Sequence, residues 1–537
     1  MSTTTNDGRP LPTRVGEASQ ADPFGSQLIS RLANEIYSEF RTRVPASDPR
    51  GSGFSPGLAA VPSVHPPNQA DDNSHLIVEP AGDLGPLNPK EPIRPALVGW
   101  SPFSVEPTYY FLQSHESSAR LARSPSSPML SGWDTESIRR DFPALHQQVN
   151  GRPLIWLDNA ATTHKPQAVI DATSRFYARD NSNIHRAAHT LAERSTELFE
   201  AAREKVQRFI GAASPKEIIF VRGTTEGINL VAQSYGRKNL IADDEIILTE
   251  LEHHANIVPW QLLAEQTGAV IRVVPINDRG ELILEQYEKL LGPRTKLVAV
   301  AHVSNSLGTI NPVEQIIALA HAHGVPVLVD GAQSAPHLPV NVTALDADFF
   351  VFSAHKVFGP TGIGALYGKA SLLEAMPPWQ GGGHMIKDVR FEKTTYQNAP
   401  EKFEAGTPNI AGAVGLGAAI DYLARLGLPA IAAYEHSLLE YATEALSTIP
   451  GIRPIGTAAS KASVLSFVIP GIPNERIGRH LDKHGIAVRA SHHCAQPAQR
   501  RFGLESTVRP SLAFYNTPDE VDTLVRVLRL LDRPSSL

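Results

Sequence analysis

Residues 347–368 read ADFFVFSAHKVFGPTGIGALYG. The run 347–352 is apolar and of strand length. Ser353, Ala354, His355 and Lys356 follow it, and then come Gly359, Pro360, Gly362 and Gly364. A lysine behind an apolar strand and inside a glycine-rich turn is unusual, because surface lysines normally sit on polar helix faces. Burial beside glycines lowers an ammonium pKa and leaves a nucleophilic amine, which suits Schiff-base chemistry. Read alone, the lysine fits equally a side chain that snorkels out of a turn.

Working outward, VPVLVDGAQS (325–334) is another strand run ending on Asp330. A residue there sits at the carboxyl edge of a parallel sheet, where α/β proteins bind ligands. Pyridoxal phosphate needs a carboxylate against its ring nitrogen to act as an electron sink. The alternative for Asp330 alone is a helix cap. Further runs occur at 154–157, 217–221, 245–249, 270–274 and 296–303, separated by helix-length segments such as 193–209 and 312–323. The alternation predicts an α/β fold with a mostly parallel sheet of seven strands and helices on both faces. Beyond 409, helical stretches at 411–425 and 428–448 precede a mixed tail. Its strands are expected at 463–469 and 486–489, and its helices at 475–484 and 520–531, a smaller C-terminal α/β domain.

The N-terminal part has a different texture. Residues 1–130 hold 18 of the 43 prolines, with abundant Ser, Gly, Asn and Asp. Such a segment buries too little apolar surface to offset its ordering entropy, so a mostly disordered extension is expected. Apolar islands at 22–41, 76–79 and 102–112 interrupt it, either as residual hydrophobicity or as short docking motifs. The expected domains are therefore 1–130, 131–410 and 411–537. In the first island Asp22 and Pro23 would cap a helix carrying Leu28, Ile29, Leu32, Ile36 and Phe40 on one face.

Composition excludes several classes. The chain has 537 residues, 42 % hydrophobic and 19 % charged, enough for a large core. With 49 basic and 55 acidic residues the formal net charge is −6, which gives no global basic field for nucleic acid. No apolar run approaches the roughly 20 residues of a membrane span. The opening MSTTTNDGRP lacks the basic and apolar regions of a secretory signal. The single cysteine, Cys494, rules out an intramolecular disulfide framework. A cytoplasmic location is expected.

Four more stretches carry chemistry. FVRGTTEG (220–227) joins a strand, a glycine, Thr224 and Thr225 to a helix N-terminus, which is an anion site or an ordinary cap. In EHHAN (252–256) an imidazole can stack on a flat cofactor. The paired histidines also suggest metal, but no cysteine lies nearby in the sequence and no ligand spacing completes a site, so no metal is expected. SHHCA (491–495) sets Cys494 in a loop beside histidines that can raise its thiolate fraction; the alternative is a small buried hydrophobe. Arg509 is a candidate for carboxylate capture or for a surface ion pair.

Together these stretches resemble the class V, fold-type I pyridoxal-phosphate enzymes, and more narrowly the Suf-type cysteine desulfurases, also called the selenocysteine lyase-like group. The matching segments are LDNAATTHKP (157–166), NIHRAAHTLAERST (183–196), FVRGTTEGINLVA (220–232), EHHANIVPWQ (252–261), HVSNSLGT (302–309), VDGAQSAPH (329–337), SAHKVFGPTGIG (353–364), FEAGTPN (403–409), HHCAQP (492–497) and RPSLAFYNT (509–517). They stand in family order across three quarters of the chain.

The resemblance implies roles. Lys356 would carry the cofactor as a Schiff base, Asp330 would hold the ring nitrogen, Gln333 the ring hydroxyl, and His253 would stack on the ring. Thr224, Thr225, Ser353 and His355 would bind phosphate, with Thr407 reaching the phosphate of the other subunit of a homodimer. Asn305 and Arg509 would hold the carboxylate of L-cysteine. Cys494 would take its sulfur as a persulfide for an acceptor thiol or protein, in sulfur mobilisation or iron–sulfur cluster assembly. Ser491 stands where the family has glycine, and His384 lies in a variable lid. Selenocysteine lyase activity, another class V reaction such as transamination, and a cargo or scaffold role are the alternatives. Transamination needs no thiol, which Cys494 argues against. Ordinary members lack the extension; it resembles that of desulfurases carried as cargo by encapsulin nanocompartments, which implies residence in such a shell.

Overall fold

The apolar runs become strands because both of their faces are covered. The structure, a computed structural model, describes residues 133–185 and 188–531. The expectations placed on 1–130 lie outside these residues. The central strands are β1 (Ile218–Val221), β2 (Glu245–Thr249), β3 (Val270–Val274), β4 (Thr295–Ala301), β5 (Val327–Asp330), β6 (Phe349–Ser353) and β7 (Gly364–Gly368). They pair in the order β1-β7-β6-β5-β4-β2-β3. The β6-β5-β4-β2-β3 pairs are parallel, and β7 runs antiparallel to both β1 and β6.

Strand alternation divides the core into two layers. Val298, Val300, Val327, Val329, Phe350 and Phe352 belong to the cluster that includes Phe199 and Val206 of α1 (Thr190–Phe209) and Leu416 of α3 (Ile410–Leu426). Leu297, Ala299, Leu328, Phe349 and Val351 belong to the opposite cluster, with Ile228 and Val231 of α2 (Thr224–Val231) and the buried Trp260. In α1 the buried residues Ala192, Ser195, Phe199, Ala202, Arg203 and Val206 recur at helical spacing and form one stripe.

Two strand expectations differ from the structure. The run at 154–157 supplies only Ile155–Trp156, which pairs with Ile486–Ala487 outside the main sheet. The seventh central strand is instead GALYG (364–368). Its glycines disguise it, but Gly364 is required: a Cβ there would lie 2.4 Å from the Phe352 carbonyl oxygen and 2.8 Å from Gly223 Cα. No side chain fits where β7 passes the loop that follows β1.

After α3 and α4 (Leu428–Ser447) comes a four-stranded antiparallel sheet. Its strands are β8 (Arg453–Ile455), β9 (Ser466–Val468), β10 (Arg489–Ser491) and β11 (Thr507–Arg509), in the order β8-β9-β11-β10. The register sets Arg489 opposite Arg509 and Ser491 opposite Thr507. Among the described residues no single helix is long and apolar enough to cross a membrane.

Candidate active site

The carboxyl ends of β4, β5 and β6 and the loop after β1 open on a cavity of about 250 Å³. Thr224, Thr225, His253, Asn305, Asp330, Gln333, Ser353, His355, Lys356, Cys494 and Arg509 all line it. Thr407 does not; it lies in a separate depression with Glu404 and Asn409. Seven segments distant in sequence thus reach one space: parallel strands deliver five of them to the same sheet edge, and the antiparallel C-terminal sheet brings Cys494 and Arg509.

Lys356 sits in a 3₁₀ turn, Ala354–Lys356, directly after β6. The LDNAATTHKP segment clamps this turn. Thr163 Oγ1 donates to the Lys356 carbonyl (3.1 Å) and accepts from the Phe358 amide (3.0 Å). Burial pulls the Lys356 pKa down to about 8, against the opposing pull of Asp330. Asp330 accepts from the Ala332 amide at 2.9 Å, and burial raises its pKa. Among the described residues no basic group lies within ion-pair distance of Asp330, so it is a buried carboxylate in want of a cationic partner. Burial, with Lys356, His254 and Arg509 nearby, holds His253 neutral with a pKa of about 3. The His253 ring is fixed by the Ala255 amide donating to Nδ1 at 3.0 Å.

At the far end, α2 begins at Gly223, whose φ of 153° and ψ of −177° suit glycine almost alone. The Thr224 amide donates to Ser353 Oγ at 2.8 Å, and the two hydroxyls lie 2.9 Å apart. A Cβ on Gly223 would come within 3.0 Å of Ser353 Oγ. Bare backbone, two threonines and a serine at a helix start form a cradle for a phosphate. A lysine amine, a buried carboxylate, a neutral ring and this cradle together fit pyridoxal phosphate.

Arg509 is 1 % exposed, which removes the surface ion pair as its explanation. Its Nη1 donates to the Asn305 carbonyl (2.8 Å) and its Nη2 to Asp158 (3.0 Å). Its Nε and the Asn305 Oδ1 are buried without hydrogen-bond partners among the described residues, and both side chains belong to residues of the cavity wall. Asp158 also accepts from Arg489 Nη2 at 2.9 Å. Sequence reasoning missed Asp158 and Arg489. Asp158 stands inside a quoted family segment, whereas Arg489 carries no local signal.

Cys494 occupies a turn in which His493 and Cys494 both have positive φ, 55° and 53°. Non-glycine residues adopt this conformation only when their surroundings hold them there. Here the Cys494 carbonyl accepts from the His254 amide (2.7 Å), the His493 carbonyl accepts from Asn305 Nδ2 (2.7 Å), and His493 Nε2 meets Thr507 Oγ1 (2.8 Å). Ser491 Oγ accepts from the His493 amide at 3.1 Å, a bond to the loop that a glycine could not make. The fold also brings the thiol beside His254 and His492. The statement that no cysteine lies near the histidine pair holds along the chain and fails in space.

The model of the aminotransferase class-V family matches residues 155–524. The chain belongs to that family. Within it, the relatives are cysteine desulfurases. The cysteine desulfurase of Synechococcus elongatus is 52 % identical over 542 residues, covering 97 % of this chain and 85 % of that protein. Probable cysteine desulfurase 1 of Mycobacterium leprae is 59 % identical over 428 residues, covering 80 % of this chain and 70 % of that protein. Among solved structures, the cysteine desulfurase CsdA of Escherichia coli superposes with a TM-score of 0.69 at 43 % identity, covering 74 % of this chain and 97 % of CsdA. This class-V chain is a pyridoxal-phosphate-dependent cysteine desulfurase, with the mainly parallel α/β fold of its relatives.

Proposed function

We propose that the enzyme converts L-cysteine to L-alanine and holds the sulfur as a persulfide on Cys494 for an acceptor thiol. The observation that carries this reading is the meeting of the sole cysteine with Lys356, Asp330 and Arg509 around one cavity. When bound, pyridoxal phosphate supplies the electron sink that stabilises negative charge at the substrate α-carbon. Lys356, near its pKa at neutral to mildly basic pH, would hold the cofactor and, when its amine is free, move the α-proton at Nζ. Asp330 would hold the ring nitrogen, His253 would stack as a neutral ring, and Gln333 would hold the ring hydroxyl. Thr224, Thr225, Ser353 and His355 would bind the phosphate. Arg509, whose buried Nε has no partner among the described residues, takes the substrate carboxylate, with Asn305 beside it.

Cys494 Sγ, as thiolate, attacks the substrate sulfur. The new S–S bond forms as the C–S bond breaks and its electron pair stays with the carbon skeleton; the β-carbon takes up one proton, equal to the one Cys494 shed on ionising, and Lys356 returns the α-proton, which completes alanine. The 131–410 segment then acts as the cofactor domain and 411–537 as the small domain bearing the thiol. Thr407, absent from its own cavity, completes the phosphate site of a second subunit in a homodimer. Cys494→Ala tests the reading: it keeps the cofactor absorbance and loses sulfide release from L-cysteine. Full sulfide release from Cys494→Ala rules the reading out.

The extension at 1–130 serves as a docking segment for a protein shell of the encapsulin type. Support comes from its Pro-rich spacing of apolar islands and from the Synechococcus relative, whose match spans 97 % of the chain, whereas that of the Vibrio cholerae relative spans 73 %. Co-expression of a candidate shell with full-length protein and with a chain starting at residue 131 tests it. Equal co-purification of both rules docking through the extension out.

A further inference from the structure

Two histidines assigned to neither cofactor nor substrate join Cys494 in a cluster of three metal-binding side chains. His254 opens the 3₁₀ turn that follows β2 (His254–Asn256), while His492 and Cys494 lie in the loop after β10. One ligand atom from each lies within 4.8 Å of the other two. The His254 and His492 rings are 5.6 Å apart, inclined by 30°. The loop cannot drift away from His254, because the His254 amide donates to the Cys494 carbonyl at 2.7 Å. Two imidazoles and a thiolate are the donor set of borderline-soft cations, and three protein ligands leave a fourth position for water.

We propose that His254, His492 and Cys494 form a three-ligand site for zinc(II), with water in the fourth position, which caps the Cys494 thiol. Zinc–sulfur bonds of about 2.3 Å and zinc–nitrogen bonds of about 2.0 Å set tetrahedral ligand atoms about 3.5 Å apart. The cluster therefore closes by at most about 1.3 Å on binding. His492 is exposed and half-buried His254 shares the open side of the loop, so side-chain rotation supplies that movement. Two hydrogen bonds set the starting state. The Cys494 amide donates to His492 Nδ1 (3.0 Å) and the Gln496 amide to His254 Nε2 (3.3 Å). An imidazole coordinates through one nitrogen while the other keeps its proton, so an ion displaces these bonds or shifts the ring tautomer. The His492 bond is solvent-exposed and the His254 bond is long, so both yield readily to water. On binding, Cys494 releases its thiol proton to solvent and the sulfur gains a zinc bond.

That occupancy silences catalysis rests on the reading of Cys494 as the sulfur nucleophile; the site itself does not. Because the chain has one cysteine, alkylation by iodoacetamide reports this position alone. Excess zinc chloride added to the full-length holoenzyme is expected to slow alkylation at least tenfold. A chelator restores the rate, and magnesium chloride leaves it unchanged. His254→Asn and His492→Asn, checked for intact cofactor absorbance, each lose most of the protection. Alkylation unaffected by zinc, or protection undiminished in both variants, overturns the site. Sulfide release followed in parallel separates the two ideas. Thiol protection with undiminished sulfide release upholds the site and overturns the nucleophile role of Cys494.

Discussion

Gly223→Ala isolates the phosphate cradle. At Gly223 φ is 153° and ψ is −177°. A residue with a Cβ is strained there by about 1–3 kcal/mol. The new methyl would also stand 3.0 Å from Ser353 Oγ, which must give way. That hydroxyl holds the Thr224 amide and meets the Thr224 hydroxyl, and weakening these bonds adds about 1 kcal/mol. The total is about 3 kcal/mol, equivalent to about a hundredfold in a binding constant. Without cofactor the 222–225 loop can relax and shed the strain; with a phosphate bound it cannot. The loss is therefore expected in cofactor affinity, with apoprotein stability lowered by less than about 1 kcal/mol. Equilibrium dialysis of the apoenzyme against pyridoxal phosphate, beside urea unfolding of the same protein, measures both. Gly324→Ala is the control: Gly324 has φ of 70°, open space around its would-be Cβ and no place in the cavity. A cofactor dissociation constant for Gly223→Ala within threefold of the parent refutes the cradle.

Glu404→Gln leaves the buried Arg203 guanidinium with half-exposed Glu200 as its only carboxylate, in place of Glu404 Oε1 and Oε2 at 2.7 and 3.0 Å, and is expected to cost about 3 kcal/mol in urea unfolding. Arg203→Met with Glu404→Met should recover part of that loss, since it leaves no buried charge unpaired and half-exposed Glu200 keeps His185; a double variant as unstable as the single would contradict this. Lys356 must be neutral to attach the cofactor, and burial lowers its pKa from 10.5 to about 8. Attachment to the apoenzyme, followed by absorbance, should therefore rise with pH and level off above pH about 8; a rate still climbing through pH 10 would show an ordinary exposed lysine.

The sheet was legible where residues are apolar on both faces. β2, β4, β5 and β6 read as strands because their alternate side chains enter the two layers of the core. β7 was not legible, since Gly364 answers a backbone approach to Gly223 that belongs to the fold and leaves no periodic trace. The run at 154–157 has a strand's composition but pairs elsewhere, because register and partner are tertiary properties. Eleven site residues gathered in one cavity wall were named from short motifs, each placed by a strand end. What stayed hidden was association between motifs. Asp158 meets Arg489 and Arg509 across more than three hundred residues, and Cys494 meets His254 across more than two hundred. No spacing rule reports contacts made by the closure of one sheet on another.

The central claim is that Cys494 receives the sulfur of L-cysteine. Peptide mass mapping after a single turnover, with free thiols alkylated at the moment of quenching, tests it most directly. The account predicts one additional sulfur atom on the peptide bearing Cys494, formed in step with alanine. Alanine appearing in full while Cys494 never carries the additional sulfur, at any time sampled, would contradict it.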